Sequence, residues 1–131
     1  MYLDEQDLAD FLGKAPGIEY LDAIVIDLCG NAIGKRLPIS HAKKILSGGT
    51  PVCGAMQLVD VRGNTADPMG HGFSDGDPDA MARPLKGTLT TVPWSGGKHA
   101  QVLCELTNAT DGSPFWYDPR RVLGKVVDCF A

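Results

Sequence analysis

Most of the motifs that identify a catalytic or metal-binding domain are missing from this 131-residue sequence. Its four cysteines lie in apolar runs, where we expect buried thiols, and they form no CxxC pair that would indicate a zinc site or a redox dithiol. There is no GxxxxGK[ST] phosphate loop and no GxSxG nucleophile elbow. Only three glutamates are present (Glu5, Glu19 and Glu105), too few for a site of converging carboxylates. The chain by itself therefore contains no complete catalytic centre.

Long apolar runs and strongly basic segments are absent as well. No stretch approaches the roughly 18–20 apolar residues of a membrane-spanning helix. The acidic N-terminus, MYLDEQDLAD, lacks the pattern of a signal peptide. The net charge of −4 argues against nucleic acid or an anionic membrane as partner, because phosphate binding needs a clustered basic face. We therefore expect a cytoplasmic protein with no nucleic-acid partner and no membrane partner.

The residues that are present predict one α+β domain over residues 1–131. A hydrophobic fraction of 44% in a chain of this length is enough for a single core. Capping residues, β-branched runs and turn signals predict these elements in order: a helix after Asp4, a hairpin of strands Ile18–Leu28 and Ala32–Pro38, a short helix capped by Ser40, a strand over about Val52–Val61, a hairpin of strands Thr88–Val92 and His99–Leu106, and a helix opened by Asp118 and Pro119. This order predicts a β-grasp-like mixed sheet of about five strands covered by helices.

The last predicted helix is amphipathic. Its apolar residues recur with the helical period, and we expect them to form a buried face: Val122, Leu123, Val126, Val127 and Phe130. No glycine or proline ends this helix before Ala131. This pattern is typical of a sequence that has been cut from a longer chain.

A long polar segment, residues 62–87, follows the predicted third strand. It contains four aspartates, five glycines and three prolines, and it has almost no hydrophobic period. Loops longer than roughly 12–15 residues are uncommon in compact domains and are usually functional or disordered. Asp75, Asp77 and Asp79 have the one-three-five spacing of a calcium loop, but alanine and lysine stand where that loop needs glycine and glutamate. Calcium binding is thus an alternative that the spacing disfavours.

Asp60 stands at the start of this polar segment, where the predicted third strand ends. A carboxylate fixed by a strand end is well placed to hold a cation such as an ammonium group. An aspartate in this position is equally typical of a turn, in which it accepts hydrogen bonds from its own backbone. The residues alone leave both interpretations open.

Five stretches of the chain together resemble the N-terminal domain of the glutamine synthetase family. In chain order they are YLDAIVIDLCGNAIGKRLP, MQLVDVRGN, GDPDAMARPLKGTLTTVPW, AQVLCEL and DGSPFWYDPRRVL, and they cover the chain from about Gly17 to Phe130. The combination of the DxD, PW and DGxP…DPR motifs is specific, whereas each piece alone is weak. More narrowly, the sequence resembles the branch that includes γ-glutamylpolyamine (glutamate–putrescine) ligases.

The resemblance implies a β-grasp domain that precedes a larger catalytic barrel, which is absent from this chain. It implies a reaction in which ATP phosphorylates the side-chain carboxylate of glutamate, and ammonia or an amine displaces the phosphate to give a γ-amide. The barrel would hold ATP and Mg²⁺ or Mn²⁺, so we expect no cofactor, no metal and no activity in this fragment alone. The implied partners are its own C-terminal catalytic domain and the adjacent identical subunits of a ring.

The resemblance also implies two site residues at the active site of the neighbouring subunit. Asp60, in LVDVRGN, matches the family's strand-end aspartate that helps to bind ammonium, and Asp79, in DPDAMARP, matches a second aspartate near it. The next three residues after Asp60, Val-Arg-Gly, replace the glycine and serines of the ammonia-using pattern, which favours a larger amine. Asp60 and the loop to Gly87 would then form a latch. The alternative function is a free-standing β-grasp module for protein–protein contact, without catalysis.

Overall fold

The structure, a computed structural model, describes residues 1–67, 70–72 and 74–131. Within these residues three α-helices and six strands follow one another: α1 (Glu5–Lys14), β1 (Tyr20–Ile26), β2 (Ala32–Pro38), α2 (Ala42–Gly48), β3 (Thr50–Cys53), β4 (Asp79–Pro84), β5 (Thr90–Thr91), β6 (His99–Asn108) and α3 (Pro119–Asp128). A 3₁₀ segment, Gly54–Leu58, follows β3 directly. The predicted α+β class is confirmed.

The strands form one mixed sheet in the order β2-β1-β6-β4-β3, with β5 also paired to β6. β1 and β6 are parallel, and the other neighbours are antiparallel. A parallel pair needs a crossover connection, and the whole middle of the chain supplies it between β1 and β6. This arrangement is the predicted β-grasp-like mixed sheet, with one strand more than the five expected.

The core lies on one face of this sheet. Along β6 every second residue is buried, because successive side chains of a strand point to opposite faces. Leu21 and Ala23 of β1 pair in register with Ala100 and Val102 of β6 and are equally buried. The same cluster contains residues of α1 and α2: Leu8, Ala42 and Ile45. Both helices therefore cover the apolar face of the sheet.

Helix α1 begins where the sequence predicts. The Asp4 side chain accepts a hydrogen bond from the Asp7 N–H at 2.8 Å, and the Asp7 side chain accepts from the Asp4 N–H at 3.3 Å. Such a capping box satisfies two backbone donors that a helix start leaves free. No helix among the described residues is long and apolar enough to cross a membrane.

The predicted third strand, Val52–Val61, is wrong beyond Cys53. β3 pairs only with β4, over the four residues from Thr50 to Cys53, and its partner begins at Asp79. Past Cys53 no strand of the described residues faces the chain to supply hydrogen bonds, and the chain turns into the 3₁₀ segment. Asp60 consequently follows a 3₁₀ turn and does not end a strand.

The predicted loop over residues 62–87 is also wrong in its second half, because β4 lies inside it. β4 buries the small residues Ala80 and Ala82 together with Pro84, and these residues give a weak hydrophobic signal. The irregular segment before β4 therefore comprises, among the described residues, 59–67, 70–72 and 74–78. Three residues of the predicted loop, Pro68, Met69 and Phe73, lie outside the described residues.

Three smaller predictions fail as well. Ser40 does not cap α2; the N-cap residue is His41, which makes no side-chain capping bond because a 3₁₀ turn already leads into the helix. Of the four cysteines only Cys104, inside β6, is buried, since the other three lie at turns, at a strand end or after α3. The apolar face of α3 is exposed: Val122 48%, Leu123 62%, Val126 49%, Val127 57% and Phe130 88%. Hydrophobic period identifies an amphipathic helix but does not say what covers it.

The exposure of α3 predicts a contrast between two leucine truncations. Leu123→Ala removes a side chain that is 62% exposed, so the free energy of unfolding should change by less than about 0.5 kcal/mol. Leu106→Ala removes a side chain that is 1% exposed in β6 and should cost about 2–5 kcal/mol. Urea denaturation followed by circular dichroism measures both. Equal losses would place α3 in the core after all.

Gly34 in β2 is required by the close approach of β1. A Cβ at this position would come within 2.9 Å of the Ala23 carbonyl carbon and 3.0 Å of the Ile24 Cα, both of which belong to backbone that cannot move aside. Gly34→Ala should therefore destabilise the fold by about 1–3 kcal/mol.

Gly124, in the middle of α3, is the matched control for Gly34. A Cβ there meets nothing within 4 Å. Gly124→Ala should stabilise the helix by about 0.5–1 kcal/mol, since alanine loses less backbone entropy on folding. The two thermal midpoints should move in opposite directions, and a shift of the same sign in both would contradict the packing at Gly34.

Candidate functional site

Asp60 opens a tight turn, and its carboxylate holds that turn closed. Oδ1 accepts hydrogen bonds from the backbone N–H of Arg62 at 2.8 Å and of Asn64 at 2.9 Å. The Asn64 side-chain amide donates to Oδ2 at 3.3 Å. Two backbone bonds complete the turn, from Asp60 N to the Asn64 carbonyl and from Gly63 N to the Asp60 carbonyl. The turn interpretation of Asp60 is thus realised in the structure.

The same turn occurs a second time in the chain, between β1 and β2. There Asp27 Oδ1 accepts from the N–H groups of Cys29 at 2.9 Å and Asn31 at 2.7 Å, and the Asn31 amide donates to Oδ2 at 3.0 Å. Both turns read D-x-x-G-N, and their glycines have nearly equal φ angles of 82° and 83°. Only glycine adopts that left-handed conformation without strain.

The two turn aspartates differ in their surroundings. Asp27 is only 6% exposed, whereas Asp60 is exposed to solvent, with Val61 beside it 87% exposed at the tip of the turn. The Asn64 N–H, followed by that of Arg62, lowers the pKa of Asp60, so its carboxylate is ionised at neutral pH. Asp60 can therefore meet an external cation through Oδ2, while Oδ1 maintains the turn.

Asp79 is the first residue of β4 and lies opposite Cys53 of β3. It is exposed, and no hydrogen bond or ion pair of its carboxylate is found within the described part of the chain. The hydrogen bonds of the Asp60 carboxylate are those of its own turn, and none of them involves Asp79. The two residues lie in different segments: Asp60 follows the 3₁₀ segment, and Asp79 begins β4.

Asp75 and Asp77 each hold a different set of donors, which disagrees with a shared calcium site. Asp75 interacts with His71 Nδ1 at 3.2 Å and accepts from the N–H groups of Gly72 and Asp77 at 3.2 and 3.1 Å. Asp77 accepts from the Ala55 N–H at 3.1 Å and from the Cys53 thiol at 2.8 Å. No three His, Cys, Asp or Glu side chains come together to hold a metal ion within residues 1–67, 70–72 and 74–131.

Aromatic residues before α3 fix this irregular segment to the body of the domain. The His71 ring meets Trp116 edge-on at 5.1 Å and lies 6.1 Å from Tyr117, and Tyr117 packs on Phe115 at 4.3 Å. Gly54 lies directly beneath, where a Cβ would come within 2.8 Å of Phe115 and 2.9 Å of the Pro78 carbonyl. The segment before β4 is therefore held against the domain at His71 and Pro78.

Sequence reasoning missed the contribution of Asp77, Cys53 and His71 to this arrangement. Asp77 binds residues 22 and 24 positions away, so no local spacing reveals it. The D-x-x-G-N repeat, by contrast, is visible in the sequence and would have identified both turns.

Comparison with known proteins adds the functional context. Gamma-glutamylputrescine synthetase PuuA of Escherichia coli is 32% identical to this chain over 121 residues, which are 92% of this chain and 25% of that protein. The glutamate–methylamine ligase of Methyloversatilis universalis is 31% identical over 88% of this chain and 23% of that protein. Glutamine synthetase of Mycobacterium tuberculosis is 45% identical over 49 residues, 34% of this chain and 11% of that protein.

This chain is a relative of the glutamine synthetase-type ligases. It spans about a quarter of the length of PuuA and of the methylamine ligase. No family model matches the sequence. The recognition made from the five sequence stretches is confirmed.

Three solved structures share the fold of this chain. The GmaS–ADP complex and ligand-free GmaS align with TM-scores of 0.69 and 0.67 at 24% and 22% identity, over 94% and 96% of this chain and 25% of each GmaS chain. A novel glutamine synthase homolog aligns with a TM-score of 0.69 at 20% identity, over 86% of this chain and 26% of that one. At these identities the likeness establishes the fold alone.

The residues of this chain do not fit the nucleotide and divalent metal that glutamine synthetase-type ligases use. The carboxylates of the described residues form no cluster that could hold a metal ion, and Asp60, Asp75 and Asp77 are already bonded to backbone or side-chain donors. The phosphate-binding loop is absent from the sequence. The chemistry of these groups is therefore not assigned to residues of this chain.

The surroundings of the four cysteines predict an order of thiol reactivity. Cys29 and Cys129 are exposed and should react first with a thiol reagent at pH 7.5. Cys53 is also exposed, but desolvation of its thiol raises the pKa and the hydrogen bond to Asp77 raises it further, so it should react more slowly, because the thiolate is the nucleophile. Burial raises the pKa of Cys104 to about 12, and this thiol should react only on unfolding.

Site-resolved mass spectrometry after timed labelling measures this order, with the urea-unfolded chain as control. Labelling of Cys53 as fast as that of Cys29 would contradict the bond to Asp77.

Proposed function

We propose that this chain is the N-terminal domain of an ATP-dependent ligase that forms a γ-glutamyl amide from glutamate and ammonia or an amine. The observation that carries the proposal is the 32% identity to gamma-glutamylputrescine synthetase over 92% of the chain. The identity of 31% to a glutamate–methylamine ligase supports the same reaction with another amine. Two relatives whose names specify amines favour an amine over ammonia as the acceptor.

The proposal includes a division of labour between two parts of the enzyme. A catalytic domain outside this chain holds ATP, Mg²⁺ or Mn²⁺ and glutamate. The N-terminal domain formed by this chain is inactive alone. In an oligomeric ring the N-terminal domain lies at the active site of the adjacent subunit and completes it. Closure of this kind excludes water and protects an acyl phosphate from hydrolysis.

Asp60 and Asp79 are the residues that we propose to face the amine. Both are exposed on the domain, and the carboxylate of Asp60 is kept ionised by the backbone donors of its turn. A fixed negative charge attracts an alkylammonium ion and orients it for loss of a proton before attack. Oδ1 of Asp60 accepts two backbone N–H groups of its own turn, whereas Oδ2 accepts only the Asn64 amide at 3.3 Å, so Oδ2 is the atom that would contact the amine.

Substitutions at Asp60 separate its charge from its structural role in the full-length ligase. Asp60→Asn keeps an oxygen that accepts from Arg62 and Asn64 but removes the charge. If the charge binds the amine, this variant should raise the KM for the amine about tenfold or more, with the KM values for glutamate and ATP unchanged. Steady-state kinetics with putrescine, methylamine and ammonia measures the effect and identifies the preferred acceptor.

Asp27 provides the matched control, because its turn has the same hydrogen bonds. Asp27→Asn removes the same charge from the turn between β1 and β2 and should leave the KM for the amine unchanged. An Asp60→Asn enzyme with normal amine kinetics would remove Asp60 from the amine site. A full-length protein without amine-dependent ATP hydrolysis would overturn the proposed function.

One observation favours the second candidate, a free-standing module for protein–protein contact. The exposed apolar face of α3 is suited to covering by another protein surface. The reading frame that encodes this chain distinguishes the two candidates: a long catalytic domain in the same frame supports the ligase, and a stop codon directly after Ala131 supports the module.

A further inference from the structure

Asp77 has a left-handed backbone conformation, which favours glycine over residues with a side chain. Its φ is +49°, and it is the one non-glycine residue with positive φ among the described residues. Left-handed backbone costs free energy in any residue with a Cβ, although aspartate and asparagine tolerate it better than most. Such strain persists where the surroundings hold it in place, and it is concentrated at functional sites.

The carboxylate of Asp77 is what holds this conformation. It accepts from the Ala55 N–H at 3.1 Å and from the Cys53 thiol at 2.8 Å. Ala55 is the second residue of the 3₁₀ segment Gly54–Leu58, whose own N-cap residue supplies no side-chain bond. Asp77 therefore caps this segment from a distant part of the chain, satisfying a donor that a helix start leaves free.

This bond joins the two segments that carry the proposed amine-facing residues. The 3₁₀ segment leads directly into the turn of Asp60, and Asp77 stands two residues before Asp79. Cys53, the second partner of Asp77, lies opposite Asp79 across the β3–β4 pair. The Pro78 carbonyl lies close to Gly54, where an added Cβ would come within 2.9 Å of it, so the same two segments also approach each other there.

We propose that Asp77 is a positioning residue of the amine site, which sets the place of the Asp60 turn relative to Asp79. This inference rests on the proposed function. Asp77 acts from within this junction: its two oxygens accept from Ala55 and Cys53, whereas the more exposed Asp60 and Asp79 are the residues proposed to face the amine. Its action is geometric, and small displacements of a substrate-binding group are enough to weaken productive binding.

The first test is kinetic and uses the full-length ligase. Asp77→Ala removes both hydrogen bonds and should raise the KM for the amine about tenfold, with the KM for glutamate and ATP changed by less than about twofold. Asp77→Asn retains an oxygen for the Ala55 N–H and tolerates the left-handed backbone, so it should restore amine binding to near the wild-type value. Asp27→Ala breaks the turn that joins β1 to β2 and should leave the KM for the amine unchanged.

Two results would overturn the positioning role. One is an Asp77→Ala enzyme with an unchanged amine KM. The other is an Asp77→Ala enzyme in which all three KM values and the thermal midpoint change together, since that pattern indicates a general loss of structure.

The second test is independent of activity. Amide hydrogen exchange of the 131-residue chain should show faster exchange at Ala55, Arg62 and Asn64 in Asp77→Ala, with Cys29 and Asn31 unchanged as the internal control. Unchanged exchange at Arg62 and Asn64 would refute the coupling of Asp77 to the Asp60 turn. If the wild-type ligase shows no amine-dependent turnover but the exchange result holds, the proposed function fails while the structural coupling stands.

Discussion

Strand β6 is the element on which the rest of this structure depends. Its ten residues pair with β1 on one side and with β5 and β4 on the other, so it alone connects the two halves of the sheet. Its inward side chains are almost completely buried and contribute apolar surface to the core along most of the strand: Ala100, Val102, Cys104 and Leu106.

The length of β6 also determines where the candidate site begins. Asn108, its last residue, pairs with Ala80, and β4 begins one residue earlier, at Asp79, which pairs with Cys53 of β3. At the same end the buried N–H of Leu106 donates to the Asp118 carboxylate at 2.7 Å, and Asp118 is the N-cap residue of α3. Burial raises the pKa of Asp118, while its hydrogen bonds from the backbone N–H groups of Leu106 and Arg120 oppose that increase. One strand end thus places both the irregular segment and the last helix.

Most of the aspartates near the site serve the backbone. Asp4 and Asp118 cap helices, Asp27 and Asp60 close identical turns, and Asp77 caps a 3₁₀ segment from a distance. A carboxylate that accepts backbone N–H groups fixes the chain around it, and at Asp4 and Asp60 these bonds also lower the pKa of the carboxyl group. In Asp60 these two effects coincide with solvent exposure, which is what distinguishes it from its buried counterpart Asp27.

The sequence by itself determined the elements whose cause is local: the capping box at Asp4, the β1–β2 hairpin, the long alternation of β6, the Asp118–Pro119 helix start and the motifs of the glutamine synthetase family. Only the tertiary structure decided that β4 lies within an apparent loop, that the predicted third strand ends at Cys53, that α3 leaves its apolar face uncovered, and that Asp77 reaches the 3₁₀ segment. The physical reason is the distance along the sequence over which each interaction acts. Caps, turns and periodicity act between residues a few positions apart, whereas strand partners, helix burial and the donors of Asp77 come from segments distant in sequence, and no pattern of spacing records them.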